Sequence, residues 1–229
     1  MTGMSIAHKD LMNKTYGWMK YVYDVSRPFF LFGRSDVRRR VVVLEPVRVL
    51  EVGCGTARNL IVMARSLKGI EFHGIDISSE MISYARTRVY KSGYGDQITL
   101  FELELDGYLD LMAGEPTPDA VIFSYCLSMI PDWRGVLRSA AGALKTRGGT
   151  ILITDFHDTA NWPCWAMRRL HKNLAHFHVT PRLELVSFLN SDPAFAGWSL
   201  AVKSLAAGAA IVVEATAPVT GRLSKVSES

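Results

Sequence analysis

Val49-Leu-Glu-Val-Gly-Cys-Gly-Thr-Ala57 is the stretch from which the rest of this chain can be read. The apolar run over residues 47–52 has the composition of a buried strand. Two closely spaced glycines interrupt it, and a helical pattern follows over residues 57–68. Gly53 and Gly55 let the backbone turn sharply and let a ligand approach where a Cβ would stand in the way. Outward from this turn the same rhythm repeats. Strands are predicted over residues 70–75, 98–103, 120–124 and 150–155. Helices are predicted over residues 79–91, with Ser78 as the cap, and 133–145. Strands alternating with helices imply a doubly wound α/β domain with a mostly parallel sheet.

The rhythm breaks after the fifth strand. Residues 159–190 read as a helical insertion, with Thr180-Pro181 marking a helix start. Residues 199–204 and 209–216 suit an antiparallel edge hairpin, which brings the expected sheet to seven strands. Residues 1–44 read as an N-terminal helical lid with a joint at Arg27-Pro28, residues 45–216 as the domain, and residues 217–229 as a flexible tail.

Two carboxylates stand at strand ends beside the glycine turn. Glu51 precedes the glycines, where its charge repels phosphate and receives an ammonium group. A dinucleotide fingerprint would want a third glycine at position 58, and this chain has Arg58. Asp76, in Gly74-Ile-Asp-Ile-Ser78, ends the second strand, where a carboxylate accepts both hydroxyls of a ribose. A helix N-cap is the plainer role for the same aspartate.

Glu-x-Gly-x-Gly resembles motif I of the class I, Rossmann-like methyltransferases. That resemblance implies S-adenosylmethionine as cofactor, with Glu51, Gly53, Cys54, Gly55, Asp76, Ile77 and Ser124 around it. Asp106-Gly107 matches the place where the family holds the adenine amino group, although Glu102 and Glu104 compete for that register. Leu144-Lys-Thr-Arg-Gly-Gly149 resembles the family's turn before strand five.

Three further segments are more specific. Phe123-Ser-Tyr-Cys-Leu-Ser-Met-Ile-Pro-Asp-Trp133, Tyr23-Asp-Val-Ser-Arg-Pro-Phe-Phe-Leu-Phe-Gly-Arg34 and Phe177-His-Val-Thr-Pro-Arg182 are similar to signatures of the diacylglyceryl-homoserine N-methyltransferases (BtaB-type) of bacterial betaine-lipid synthesis. Ala57, where that branch usually has Gly, and His157 depart from its pattern. The resemblance implies methylation of a lipid head-group amine. It puts Tyr125 and His178 in catalytic positions, and Tyr23, Arg27, Arg34, Ser128 and Arg182 around the substrate. Each has a plainer role as a packed aromatic, a structural histidine, or a surface or fold-supporting arginine.

Charge bears on the partner. Residues 1–48 hold nine Lys/Arg against four Asp/Glu, and residues 160–182 hold four basic residues and no acid. Trp162 and Trp165 near Arg168, Arg169 and Lys172 suit peripheral contact with an anionic membrane, or a helix that packs its Trp side on the sheet. Three cysteines (Cys54, Cys126, Cys164) without a Cys-x-x-Cys pair suggest neither a disulfide framework nor a zinc site, and a cytoplasmic location is expected. A nucleic-acid substrate is disfavoured by the lack of an Asn/Asp-Pro-Pro-Tyr-like motif after strand four. Three rivals stay open: a methyltransferase for a soluble small molecule, a non-catalytic S-adenosylmethionine binder, and a nicotinamide oxidoreductase.

Overall fold

Five short apolar runs connected by helices can satisfy their backbone groups only by pairing with one another, and the parallel sheet follows from that. In the computed structural model, the described residues are 32–145, 148–158, 162 and 179–219. The sheet contains β1 (Arg48–Val52), β2 (Glu71–Ile75), β3 (Ile98–Phe101), β4 (Ala120–Ser124), β5 (Thr150–Phe156), β6 (Ser199–Leu205) and β7 (Ala210–Thr216). Their order is β3-β2-β1-β4-β5-β7-β6. The first five strands run parallel, while β7 pairs antiparallel with both β5 and β6. The order in which strands are added reverses between β1 and β4, and in such sheets ligands bind at this switch point, in the crevice outside the carboxyl ends of the strands.

Helices cover both faces. Val37 and Val41 of α1 (Arg34–Leu44), Leu60, Met63 and Ala64 of α2 (Arg58–Ser66), and Ile82 and Ala85 of α3 (Ser79–Ser92) pack on one side with Val49, Phe72 and Ile122. Leu105 and Tyr108 of α4 (Leu105–Leu111), Leu137 and Leu144 of α5 (Trp133–Leu144), and Leu185 and Leu189 of α6 (Leu185–Ser191) pack on the other with Leu50, Phe123 and Ile153. As expected, Ser78 caps α3: its hydroxyl accepts the Met81 amide at 3.3 Å.

Three expectations are corrected. The acidic stretch after β3 was read without a helix, yet α4 forms there because Leu105 and Tyr108 lie on one face and bury against α5. Thr180-Pro181 does not begin a helix. Its backbone is drawn aside by the Thr180 amide, which donates to Ser128 O at 2.9 Å, and by the anchored Arg182, so α6 starts at Leu185. The chain is also not free from residue 217: Ala217 is buried and its amide donates to Gly149 O. Most of the insertion, the first 31 residues and residues 220–229 fall outside the described residues.

α1 is tied to the hairpin. Arg40 makes a bidentate pair with Glu214 at 2.6 Å for each bond, and Lys203 Nζ lies 2.6 Å from Asp36. These ties, with the buried Val37 and Val41, lay α1 over the ends of β4 and β5.

Candidate active site

The glycine turn after β1 does two separate jobs. Gly53 has φ +65, and a Cβ there would stand 2.6 Å from Cys126 Cβ, so this position needs glycine for packing. Gly55 has φ +54, and a Cβ there would meet nothing within 4 Å, so it faces open space. The turn is pinned to the neighbouring strand by the Cys54 amide, which donates to Ile75 O at 3.0 Å.

Asp76 stands across from it. Its Oδ2 accepts the Gly55 amide and its Oδ1 the Ser78 amide, each at 2.9 Å. Each oxygen keeps further acceptor capacity, enough for two vicinal hydroxyls. Burial raises the Asp76 pKa, although the amides of Ser78, Gly55 and Ile77 favour the charged form. The aspartate thus joins the glycine turn to the start of α3, and the helix-capping duty proper falls to Ser78.

Glu51 is 2% exposed. Its Oε1 accepts from Asn59 Nδ2 at 2.9 Å, and its Oε2 is buried without a hydrogen-bond partner. Burial pushes its carboxyl up to about 7, against the charges of Arg34 and Arg38 and the bond from Asn59. Arg38 Nη1 donates to Asn59 Oδ1 at 3.4 Å, and Arg34 Nε donates to Ser124 Oγ at 3.0 Å.

Comparison with known proteins fits this geometry. Residues 50–151 match the methyltransferase domain family. Over 127 residues the chain is 31% identical to the ubiquinone biosynthesis O-methyltransferase of Xylella fastidiosa, covering 55% of this chain and 48% of that one. Over 149 residues it is 28% identical to the demethylmenaquinone methyltransferase of Geobacillus kaustophilus, covering 64% and 58%. The chain thus spans about half the length of the curated relatives it matches. Among solved structures, the magnesium protoporphyrin IX methyltransferase of Synechocystis with bound S-adenosylmethionine superposes with a TM-score of 0.65 at 17% identity, over 95% of this chain and 99% of that one.

Residues 50–151 match a methyltransferase domain, and the sheet has the Rossmann-like fold of the class I methyltransferases, whose cofactor is S-adenosylmethionine.

The residues present fit that cofactor. The orphaned Oε2 of Glu51 is an acceptor in want of a cationic donor, and an ammonium group supplies one. Gly55 faces open space, and its amide is bonded to Asp76. In this methyltransferase domain Glu51 would take the amino-acid end, Asp76 the ribose hydroxyls, and Ile77 the edge of the base. Cys54, expected at the cofactor, lies in the turn between Gly53 and Gly55. Its amide is spent on Ile75 O of β2, its carbonyl accepts the Ala57 amide within the turn, and its thiol packs beside Gly74 in the core. Asp106 is exposed in the first turn of α4, and Glu102 and Glu104 both stand between β3 and that helix, Glu104 as its N-cap residue.

The residues expected around the methyl acceptor stand at and after the tips of β4 and β5. Tyr125, expected to line an open pocket, is 1% exposed and has φ +58. Its hydroxyl donates to Phe32 O at 2.7 Å, and Thr154 Oγ1 donates to the same carbonyl at 2.9 Å. The ring packs edge-on to Phe156. Arg182, expected as an open grip, donates from Nε to Leu127 O at 3.1 Å and from Nη2 to Ile130 O at 2.8 Å, so it staples the loop after β4. Ser128, expected at the substrate, is 1% exposed, and its amide donates to Asp155 Oδ2 at 3.0 Å. Burial pushes the Asp155 carboxyl up to about 6. Tyr23, Arg27 and His178 lie outside the described residues.

Arg38, Asn59 and Asp155 carry no expectation from sequence. Asn59 stands among Leu60, Ile61 and Met63 in the buried part of α2, and a polar residue there is the one signal that could have marked it. Arg38 has only its spacing of one helical turn from Arg34.

Proposed function

We propose that this protein is an N-methyltransferase that acts on the amino group of a diacylglyceryl-homoserine-type lipid head group, giving a betaine lipid. One observation carries the reading. The three segments that resemble that branch are far apart in sequence, and their described parts meet at the tips of β4 and β5. Phe32 is bonded to Tyr125, Arg34 to Ser124, and Arg182 to Leu127 and Ile130. Coincidental matches would scatter over the surface.

The bound cofactor supplies an electrophilic methyl group on a sulfonium centre. The chain's own residues position and exclude water, which is most of what such a displacement requires. An amine acceptor attacks only as the neutral base, and its proton can leave to water or to a mild base. Each of the first two transfers is followed by loss of a proton from nitrogen, and the third leaves a quaternary ammonium whose fixed charge suits an aromatic face. Among the described residues, no helix is long and apolar enough to cross a membrane, so access to a lipid would be from the membrane surface. Trp162, which the basic insertion would present to that surface, instead donates its indole N–H to Ala206 O at 2.7 Å. The membrane contact therefore rests on Arg168, Arg169 and Lys172, which lie outside the described residues.

The names of the curated relatives favour a second reading, methylation of a small quinone precursor. Purified protein incubated with methyl-labelled cofactor and vesicles containing the homoserine lipid separates the two. Label in the lipid extract, with successive methyl additions by mass spectrometry, is the expected result. Label found only in a soluble or quinone-type acceptor overturns the lipid reading, and no product with any acceptor leaves a non-catalytic binder.

A further inference from the structure

A nitrogen that arrives as an ammonium group must lose a proton before each methyl transfer, and a buried carboxylate is one group that can take it. Asp155 stands near the end of β5 and is 1% exposed. We infer that the Asp155 carboxylate, with the Ser128 hydroxyl beside it, receives the charged nitrogen of the methyl acceptor and takes that proton. The inference rests on the N-methyltransferase reading and supplies its base.

Three observations carry this. First, the carboxylate is short of a cation. Its Oδ2 accepts the Ser128 amide at 3.0 Å and its Oδ1 the Phe156 amide at 2.8 Å, and each oxygen keeps a further lone pair. Among the described residues no side chain forms an ion pair with it. Arg182, whose charge it feels, bonds the Leu127 and Ile130 carbonyls instead. A buried carboxylate without an ion-pair partner is unfavourable, and a ligand's ammonium group relieves that. Second, the Ser128 hydroxyl is buried with no hydrogen-bond partner. It stands close enough to favour the charged form of Asp155 without the geometry of a bond to it, which leaves its oxygen for a ligand N–H. Third, the loop after β4 links this carboxylate to the cofactor turn. Cys126 Cβ is 2.6 Å from where a Cβ on Gly53 would stand, and two residues later the same loop meets Asp155 at Ser128. Burial raises the Cys126 thiol, and the charges of Asp155 and Glu51, with Asp76 further down, add to it. Asp155 thus shares one neighbour with both cofactor carboxylates, at the carboxyl ends of the strands. In the step itself, an R–NH3+ acceptor gives one proton to Asp155 and keeps the electron pair. That pair forms the new N–C bond as the S–C bond breaks, and the pair of the broken bond stays on sulfur. The proton leaves Asp155 for water before the next round.

Turnover is followed at saturating methyl-labelled cofactor with vesicles containing the homoserine lipid, and S-adenosylhomocysteine affinity by calorimetry. In the natural chain, turnover should rise from pH 5 and level off above about 6, where Asp155 is ionised. Asp155→Asn keeps an oxygen for the Ser128 amide and should lower turnover at pH 7 by roughly a hundredfold or more. Its affinity for S-adenosylhomocysteine should match that of the natural chain, which also shows that the variant is folded. Its deficit should shrink by about tenfold per pH unit toward pH 9, as more of the amine is already neutral when it binds. Ser128→Ala leaves the amide bond to Asp155 in place and should raise KM for the lipid about two- to tenfold, with cofactor affinity unchanged. A natural-chain turnover that is flat between pH 5 and 7, a loss in Asp155→Asn that is equal at every pH, or an unchanged KM in Ser128→Ala would overturn the assignment. Should Asp155→Asn fail to bind S-adenosylhomocysteine, the profile of the natural chain and Ser128→Ala decide. No label in the lipid with the natural chain at any pH would instead sink the N-methyltransferase reading.

Discussion

Replacing Glu51 by Gln removes a charge that the cofactor-free chain holds at a cost. Burial moves the carboxyl from 4.5 to about 7. A shift of that size corresponds to about 3 kcal/mol between the protonated and ionised forms. The sign follows from where the protons sit. Below 4.5 the group is protonated both folded and unfolded, and its full contribution to stability is present. Between 4.5 and about 7 the unfolded chain gives up the proton and the folded chain keeps it, so stability falls as pH rises. Above about 7 the whole cost is felt. Glu51→Gln escapes it, because Gln keeps an oxygen for Asn59 Nδ2 and carries no charge. Without cofactor, the variant should match the natural chain at low pH and exceed it at pH 8 by up to about 3 kcal/mol, roughly 6–12 °C in melting midpoint for a domain of this size. The same substitution should weaken cofactor binding by roughly ten- to a hundredfold at pH 8, because the ammonium group loses its charged acceptor. In the natural chain, affinity should fall about tenfold per pH unit below about 7, where proton and ammonium compete for one carboxylate; in the variant this slope should vanish. Thermal melts and calorimetry between pH 5 and 8 read both effects. A variant less stable than the natural chain at pH 8, or a stability difference that does not vary with pH, would refute the reasoning.

Other substitutions read the remaining parts of the site. Asp76→Ala should weaken binding of S-adenosylhomocysteine and of methylthioadenosine alike, by more than about tenfold, since both carry the ribose; unchanged affinity by calorimetry would show that the ribose lies elsewhere. Gly53→Ala places a methyl group 2.6 Å from Cys126 Cβ at a left-handed φ, and should destabilise the domain by roughly 2–4 kcal/mol in denaturant titrations. Tyr125→Phe leaves Phe32 O with Thr154 as donor, so its stability cost should be about 1 kcal/mol, with cofactor affinity unchanged and turnover lowered. A fall in affinity instead would move Tyr125 into the cofactor site.

The features the sequence determined by itself are local ones. The strand, glycine turn and helix over 47–68 need only their own periodicity and two residues without a side chain, and they form where expected. Glu51 and Asp76 are legible for the same reason: each stands at a fixed offset from a strand end, so the strand places it. Where one residue's role depends on a distant partner, tertiary structure decides. Tyr125 was read as a pocket aromatic, but Phe32, far away in sequence, takes its hydroxyl. Arg182 was read as a substrate grip, but two loop carbonyls claim its guanidinium. Arg38 and Asn59 drew no attention, because their meaning comes from α1 lying over the ends of β4 and β5, a contact set by Val37, Val41 and the pairing of Arg40 with Glu214. Backbone conformation is a short-range property that a few neighbours impose. The partner of a long polar side chain is chosen by which elements pack together, and that is settled only when the sheet and its helices bury their apolar faces.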